Sequence, residues 1–261
     1  MINTNRYEEI STLRFTACFE DERTKLGDCY FTAPFKIAKP FYENDMMKIV
    51  VMSASAGMMA GDVQEFDIKV EDNAKLYFTT QSYEKIHKMD EGFASRTANI
   101  RVGNEASLYY VPLCTIPFAK SSFKGDTKIW LEDNSSKLFL AEIFAPGRKA
   151  YGEQFKYDTY ISRTLVWRNN NLIYYDNTRY IPDKIKLDGY GMFEKWTHLL
   201  NIFITSTIES DKLIEDIREY IKVKDLEGGA SITEYGDISI RVLGNNAQIL
   251  EDVVKKMREL I

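Results

Sequence analysis

Histidine and cysteine are scarce in this 261-residue chain. There are two histidines, His87 and His198, and three cysteines, Cys18, Cys29 and Cys114. No CxxC or HxxxH spacing occurs, so the ligand pairs of a closed zinc site are missing. An odd number of cysteines at unrelated spacings does not make a disulfide framework, and it fits a reducing cytoplasm. Long apolar runs are missing too, none approaching the roughly 20 residues that cross a bilayer. The first fifteen residues have neither an apolar core segment nor a small-residue cleavage site, so no signal peptide is expected. There is no excess of basic residues. The formal net charge of −5 sets nucleic acid and anionic membranes aside as main partners, because both require a basic face. Gly57 and Gly61 lead to no Lys-Ser/Thr, so they form a turn rather than a phosphate loop. Ser53, Ser55 and Ser121 lie in no GxSxG context.

Aromatic residues are plentiful, at 13%, with 16 Tyr and 15 Phe, a bias toward strands and partner surfaces. Strands are expected over 12–20 and 23–32 as a hairpin through Asp21-Glu22, then over 47–53. Val63 to Val70 alternates Phe66, Ile68 and Val70 with Glu65, Asp67 and Lys69, the period-two pattern of a strand with one wet face. Asp72-Asn73 turns the chain and 75–80 returns. The charged segment 83–94 reads as a mobile loop. A hairpin is expected over 97–112 around Gly103-Asn104, and a loop over 115–124. Strands follow over 127–133 and 137–148, and a long hairpin over 155–180 turns at Asn169-Asn170-Asn171. A helical turn at 194–199 precedes a strand over 201–207.

The texture then changes. Ser210 is placed to cap a helix over 211–222 with Leu213, Ile214, Ile217 and Ile221 on one face. One strand over 230–244 leads to a last helix, capped by Asn245 or Asn246 and striped by Leu250, Val253, Val254, Met257 and Leu260. The fold class is mainly β, a large β-helix-like or two-layer scaffold with two C-terminal α-helices. A β-rich core over 1–210 carries an α+β portion, 211–261, in one continuous domain. No fixed-period repeat is visible.

Candidate chemistry rests on carboxylates in apolar strands. In Lys137 to Phe144 both parities are largely apolar, so the strand is central and covered on both sides, and Glu142 points into an apolar layer. An unpaired charge there costs several kcal/mol on an order-of-magnitude scale. Asp176 shares parity with Leu172 and Tyr174, and Glu153 with Phe155 and Tyr157. Asp62 stands at a turn, and Thr79, Thr80 and Gln81 end a strand. In the plainest account each carboxylate pairs with an arginine such as Arg148, Arg163 or Arg179, or bonds a turn. A second account makes them a polar path or paired acid site. Two carboxylates could hydrolyse a glycosidic bond, with Glu142 and Glu153 or Asp176 as acid and base in a carbohydrate-active β-solenoid. A third makes the chain a protein-binding β domain without an ion path.

Five segments occur in one order: YFTAPFKIAKPF at 30–41, MSASAGMMAGD at 52–62, TTQSYEKIHKM at 79–89, YVPLCTIPFAKSSF at 110–123 and EIFAPGRKAYGEQF at 142–155. Together they resemble the urease accessory protein family UreD, called UreH in some bacteria. Ser-Ala-Gly-Met-Met departs mildly from the family's Ser/Gly-Gly followed by larger aliphatics. The resemblance implies a non-enzymatic scaffold in maturation of the nickel enzyme urease. It implies binding to urease apoprotein and to UreF, which recruits the GTPase UreG. It also implies a β-helix-like fold with two helices and an internal tunnel for nickel. Asp62, Thr79, Thr80 and Glu142 match family positions near that path, and Asp176 matches more loosely. With Gln81 and Glu153 they make up the expected nickel path. Transient Ni2+ is expected, with no tightly bound cofactor and no stable metal site, since oxygen ligands release a cation that thiolates and imidazoles would trap.

Overall fold

A computed structural model describes residues 10–205 and 210–261, with the backbone alone at Ser210. In chain order the strands begin with β1 (Ser11–Glu20), β2 (Arg23–Phe31), β3 (Phe35–Ile37), β4 (Phe41–Glu43) and β5 (Met46–Ser53). Next come β6 (Val63–Val70), β7 (Lys75–Thr80), β8 (Glu84–Ile86), β9 (Ala94–Val102), β10 (Ser107–Tyr110) and β11 (Thr115–Pro117). Then follow β12 (Ser122–Leu131), β13 (Lys137–Phe144), β14 (Thr159–Arg168), β15 (Asn171–Tyr180) and β16 (His198–Ile204). The chain ends with α1 (Ser210–Val223), β17 (Glu227–Ile232), β18 (Ile238–Gly244) and α2 (Ala247–Leu260). The mainly β expectation, with two helices toward the C-terminus, is met.

Two sheets face each other. The first has the order β15-β14-β12-β9-β6-β1-β2, and the second runs β17-β18-β16-β13-β10-β7-β5-β3, with β4, β8 and β11 attached. From β6 to β14 the chain alternates between sheets, and successive strands within each sheet lie parallel. This is a coil of the β-helix kind. The expected hairpin over 97–112 is therefore corrected: β9 lies in the first sheet, β10 in the second, and Gly103-Asn104 is a corner between them. Asp72-Asn73 is likewise a corner, and β7 crosses to the other sheet rather than returning beside β6. Stacked corners bond one another: Asn104 N–H donates to Asp72 Oδ1 at 2.9 Å, and Glu105 N–H to Ser135 Oγ at 2.7 Å.

Phe66, Ala98, Thr127 and Thr164 stand side by side in the first sheet, at spacings of 32, 29 and 37 residues. The corners are nearly constant in length, so the variation lies in the connections at the opposite end. That irregularity is why no period shows in the sequence.

Several expectations change where short strands occupy charged stretches. Segment 83–94 contains β8, which pairs with β11, and buries Ile86 and Met89. Segment 115–124 likewise holds β11 and the start of β12. Residues 194–195 lie in turns, with no helix, and β16 starts at His198. The single strand expected over 230–244 is a hairpin, β17–β18, turning at 233–237. The end of the expected strand over 201–207, the cap at Ser210 and the N-terminal reading fall outside the described residues.

The hairpins β1–β2 and β14–β15 are as expected, with left-handed Asp21-Glu22 and Asn169-Asn170 at their turns. Gly57 has φ +141°, and a Cβ there would meet the Lys85 carbonyl at 2.3 Å, so this glycine serves close approach to β8.

The core has two main layers. Between the sheets pack Ile49, Phe78, Ile68, Ile100, Ile129 and Val166. On the far side of the second sheet, Leu213, Ile214, Ile217 and Ile221 of α1 and Leu250, Val253, Val254 and Met257 of α2 cover Phe139, Ala141, Ile143, Leu200 and Ile202. β13 and β16 are thus covered on both faces, which accounts for their near-continuous apolar runs. Asn246 caps α2, its side chain accepting from Ile249 N–H at 2.9 Å. Arg258 in the last turn of α2 bonds Glu43 at 3.0 Å and lies 4.3 Å from the Tyr77 ring centroid, pinning the helix to the sheet. Among the described residues no helix is long and apolar enough to cross a membrane.

Candidate functional site

The space between the sheets changes character along the strands. Near the corners it is apolar. Toward the connecting loops it opens into a polar cavity of about 70 Å³. Two facing rows of residues frame it, and of these Thr127, Asp176, Glu142 and Asn201 line it directly. Across the first sheet run Thr127, Thr164 and Asp176, paired in register from β12 to β15. Across the second run Glu142, Asn201 and Arg241, from β13 to β18.

Glu142 is the centre of this arrangement. Its side chain lies between the two sheets, half-buried, and faces the cavity. Thr164 Oγ1 donates to Glu142 Oε2 at 3.1 Å, and no cationic side chain among the described residues bonds it. Burial raises its carboxyl to about 7, and the charge of Asp176 adds to the rise. The Thr164 hydrogen bond and the Arg96 charge pull the other way. Beside it, Asn201 Oδ1 is buried and meets no hydrogen-bond donor among the described residues. A carboxylate, an amide oxygen and hydroxyl oxygens therefore converge on one space.

The rest of the wall is charged but neutralised. Arg96 donates through Nε to Gln64 Oε1 at 2.8 Å, pairs with Glu84, and stacks over Phe66 at 4.9 Å. Asp176 accepts from Thr178 Oγ1 at 3.1 Å and pairs with Arg241. Burial pushes the Tyr110 and Tyr160 hydroxyls well up, so both stay neutral donors.

Of the seven sequence candidates, Thr80, Glu142 and Asp176 line the cavity. Thr80 Oγ1 accepts from Leu113 N–H at 3.0 Å and donates to the Ser82 carbonyl. The other four lie elsewhere. Thr79 has the opposite parity and lines a separate space beneath α2, with Glu251. Gln81 is exposed. Asp62 holds its own turn by accepting from Met59 N–H at 2.8 Å. Glu153 bonds Arg148, at 2.7 Å from Nε, and Ala119 N–H, and does not line the cavity. Glu142 and Glu153 thus do not share one space as an acid–base pair would.

Sequence reasoning missed Gln64, Arg96, Glu84, Asn201 and Arg241. For two of these the signal used for Glu142 was available. Arg96 shares parity with Ala94, Ala98, Ile100 and Val102, and Gln64 with Phe66, Ile68 and Val70, each a polar residue in an apolar series. Both histidines lie outside the cavity. His198 is buried against Thr197 Oγ1 at 2.8 Å, and burial lowers its pKa to about 4. Among the described residues no three His, Cys, Asp or Glu side chains gather as a metal site.

Comparison with known proteins agrees across the chain. The family described as UreD urease accessory protein matches residues 10–261. The urease accessory protein UreD of Acetivibrio thermocellus is 36% identical over 260 residues, covering 98% of this chain and 99% of that one. The urease accessory protein UreH of Helicobacter pylori strain G27 is 35% identical over 260 residues, covering 98% and 96%. UreD of Lysinibacillus sphaericus is 29% identical over 266 residues, covering 99% and 98%.

Proposed function

The chain belongs to the UreD family of urease accessory proteins and acts in urease maturation; we propose that within this process it is a non-catalytic cytoplasmic scaffold. In this reading it binds urease apoprotein and UreF, meets the GTPase UreG through UreF, and passes nickel toward the urease active site through the polar interior around Glu142.

The observation that carries the reading is the half-buried Glu142 carboxyl, facing a cavity with Asn201 Oδ1 beside it and, among the described residues, no cation bonded to it. A carboxyl poised near neutrality exchanges a proton for a cation readily. The donors on offer are oxygens, which hold a divalent transition ion loosely enough to release it, and nickel here is cargo rather than a resident cofactor.

The test is Glu142→Leu in cells that express the urease operon. The expected result is urease of lower nickel content, with the variant still co-eluting with UreF and urease apoprotein on size exclusion. Full nickel loading would remove Glu142 from the path. Separate elution of the native protein and co-expressed UreF would overturn the scaffold role.

A further inference from the structure

The cavity around Glu142 has a neighbour. A larger cleft of about 520 Å³ lies outside it, against β15, β17 and β18, and Asp176, Thr178 and Leu199 line both spaces. These three side chains are the wall that the two spaces share. Arg241 closes on that wall from the cleft side, through a single terminal nitrogen bonded to Asp176.

The two partners sit very differently. The Arg241 side chain is 59% exposed, whereas that of Asp176 is 9% exposed. The edge strand beside Arg241 leaves it room to move. β17 places Gly229 opposite Arg241 and Gly228 opposite Val242. A Cβ on Gly229 would meet nothing within 4 Å, which marks open space, and one on Gly228 would strike the Arg241 carbonyl at 2.4 Å. The guanidinium therefore has Asp176 and the Tyr174 hydroxyl on its inner side and the open cleft on its outer side. On release the exposed guanidinium regains water in the cleft, while Asp176 keeps the Thr178 Oγ1 hydrogen bond at 3.1 Å.

We propose that Arg241 is a latch on the outer mouth of the Glu142 cavity. Paired with Asp176, it closes the passage between cavity and cleft and neutralises the carboxylate there. Swung into the cleft, it leaves Asp176 and Glu142 as successive carboxylates along an open path suited to a divalent cation. The latch rests on the reading of this cavity as a cation path, and its test is chosen to separate the two.

In the full chain carrying Cys18→Ser and Cys29→Ser, Ser162→Cys places a thiol on the inner cavity wall. The probe is 2-aminoethyl methanethiosulfonate, a small cationic thiol reagent. Adding Arg241→Gln is expected to speed labelling of that thiol at least about tenfold, because labelling follows the open population. Cys114, buried in the helix-side core, stays unlabelled and reports that the fold is intact. If Arg241→Gln exposes Cys114, Asp176→Asn breaks the same pair from the other side and carries the same expectation. Equal labelling rates with Cys114 protected overturn the latch. If urease nickel still falls in Glu142→Leu, the path survives that failure. Faster labelling with nickel loading indifferent to Glu142 keeps the latch and overturns the path.

Discussion

Ile68, Ile100, Ile129 and Val166 stand side by side near the corners of the coil, all at 0% exposure. Two residues back along the same four strands stand Phe66, Ala98, Thr127 and Thr164. Two further back stand Gln64, Arg96, Gly125 and Ser162. The same inward faces thus run from a fully apolar end to a polar one. The two ends are also bridged differently. At the corner end Arg168 grips Asp237 with both terminal nitrogens at 3.0 Å, the side chains being 12% and 1% exposed. At the loop end Arg241 holds Asp176 with one nitrogen and is mostly exposed. One end is built for stability, by burial and a closed clamp. The other keeps a desolvated carboxyl, a group that weakens a fold, inside a scaffold that the first end supports.

Substitutions at the two ends should therefore differ in size and in sign. The largest loss is expected for Arg168→Ala, which takes the guanidinium from a buried carboxylate, at about 4 kcal/mol in urea unfolding. Next is Ile100→Ala in the apolar stack, expected to lower stability by about 3 kcal/mol. A loss under about 1 kcal/mol at either site would show that the corner end is not the stabilising one.

Glu142→Gln should act in the opposite direction. The folded carboxyl keeps its proton up to about 7, against 4.5 for an ordinary glutamate. The folded state therefore binds more protons in that window, and native stability falls as pH rises through it. Removing the charge should gain on the order of 2 kcal/mol at pH 8 and almost nothing at pH 4. A gain independent of pH would place the ionised carboxylate in a better solvated site than the cavity provides. The smallest effect is expected for Arg241→Gln, on the order of 1 kcal/mol lost, because the guanidinium is mostly exposed and the glutamine amide can still donate to the buried Asp176. A loss matching that of Arg168→Ala would erase the contrast between clamp and latch.

Much of this contrast could be read from the sequence one strand at a time. Alternation in Val63–Val70 put Phe66, Ile68 and Val70 on one face, and Glu142 stood out as a charge in an apolar parity. Carried to Ala94–Val102, the same test would have found Arg96. Parity singles out Asp176 but not its partner Arg241, because Ser239 and Leu243, which share the face of Arg241, are a mixed pair with no apolar series to interrupt. Thr79 and Thr80 both match family positions near the expected path, yet adjacent residues in a strand point to opposite faces, and Thr80 reaches the cavity whereas Thr79 does not. Segment 83–94 read as a loop because its charges hide β8, whose Glu84 serves to neutralise Arg96.

Sequence alone was enough for the long strands, the helix stripes of α1 and α2, the family resemblance and the inward parity of Glu142, because each depends on local period or local motif. The tertiary structure decided which sheet each strand joins. A corner such as Gly103-Asn104 and a hairpin turn look alike in sequence, yet the corner sends the chain to the opposite sheet. Only the parallel coil, setting residues about 30 positions apart side by side, together with the antiparallel strands β15, β16 and β18 at its end, brings Arg96, Glu142, Asn201 and Asp176 around one cavity and sets Arg241 against Asp176.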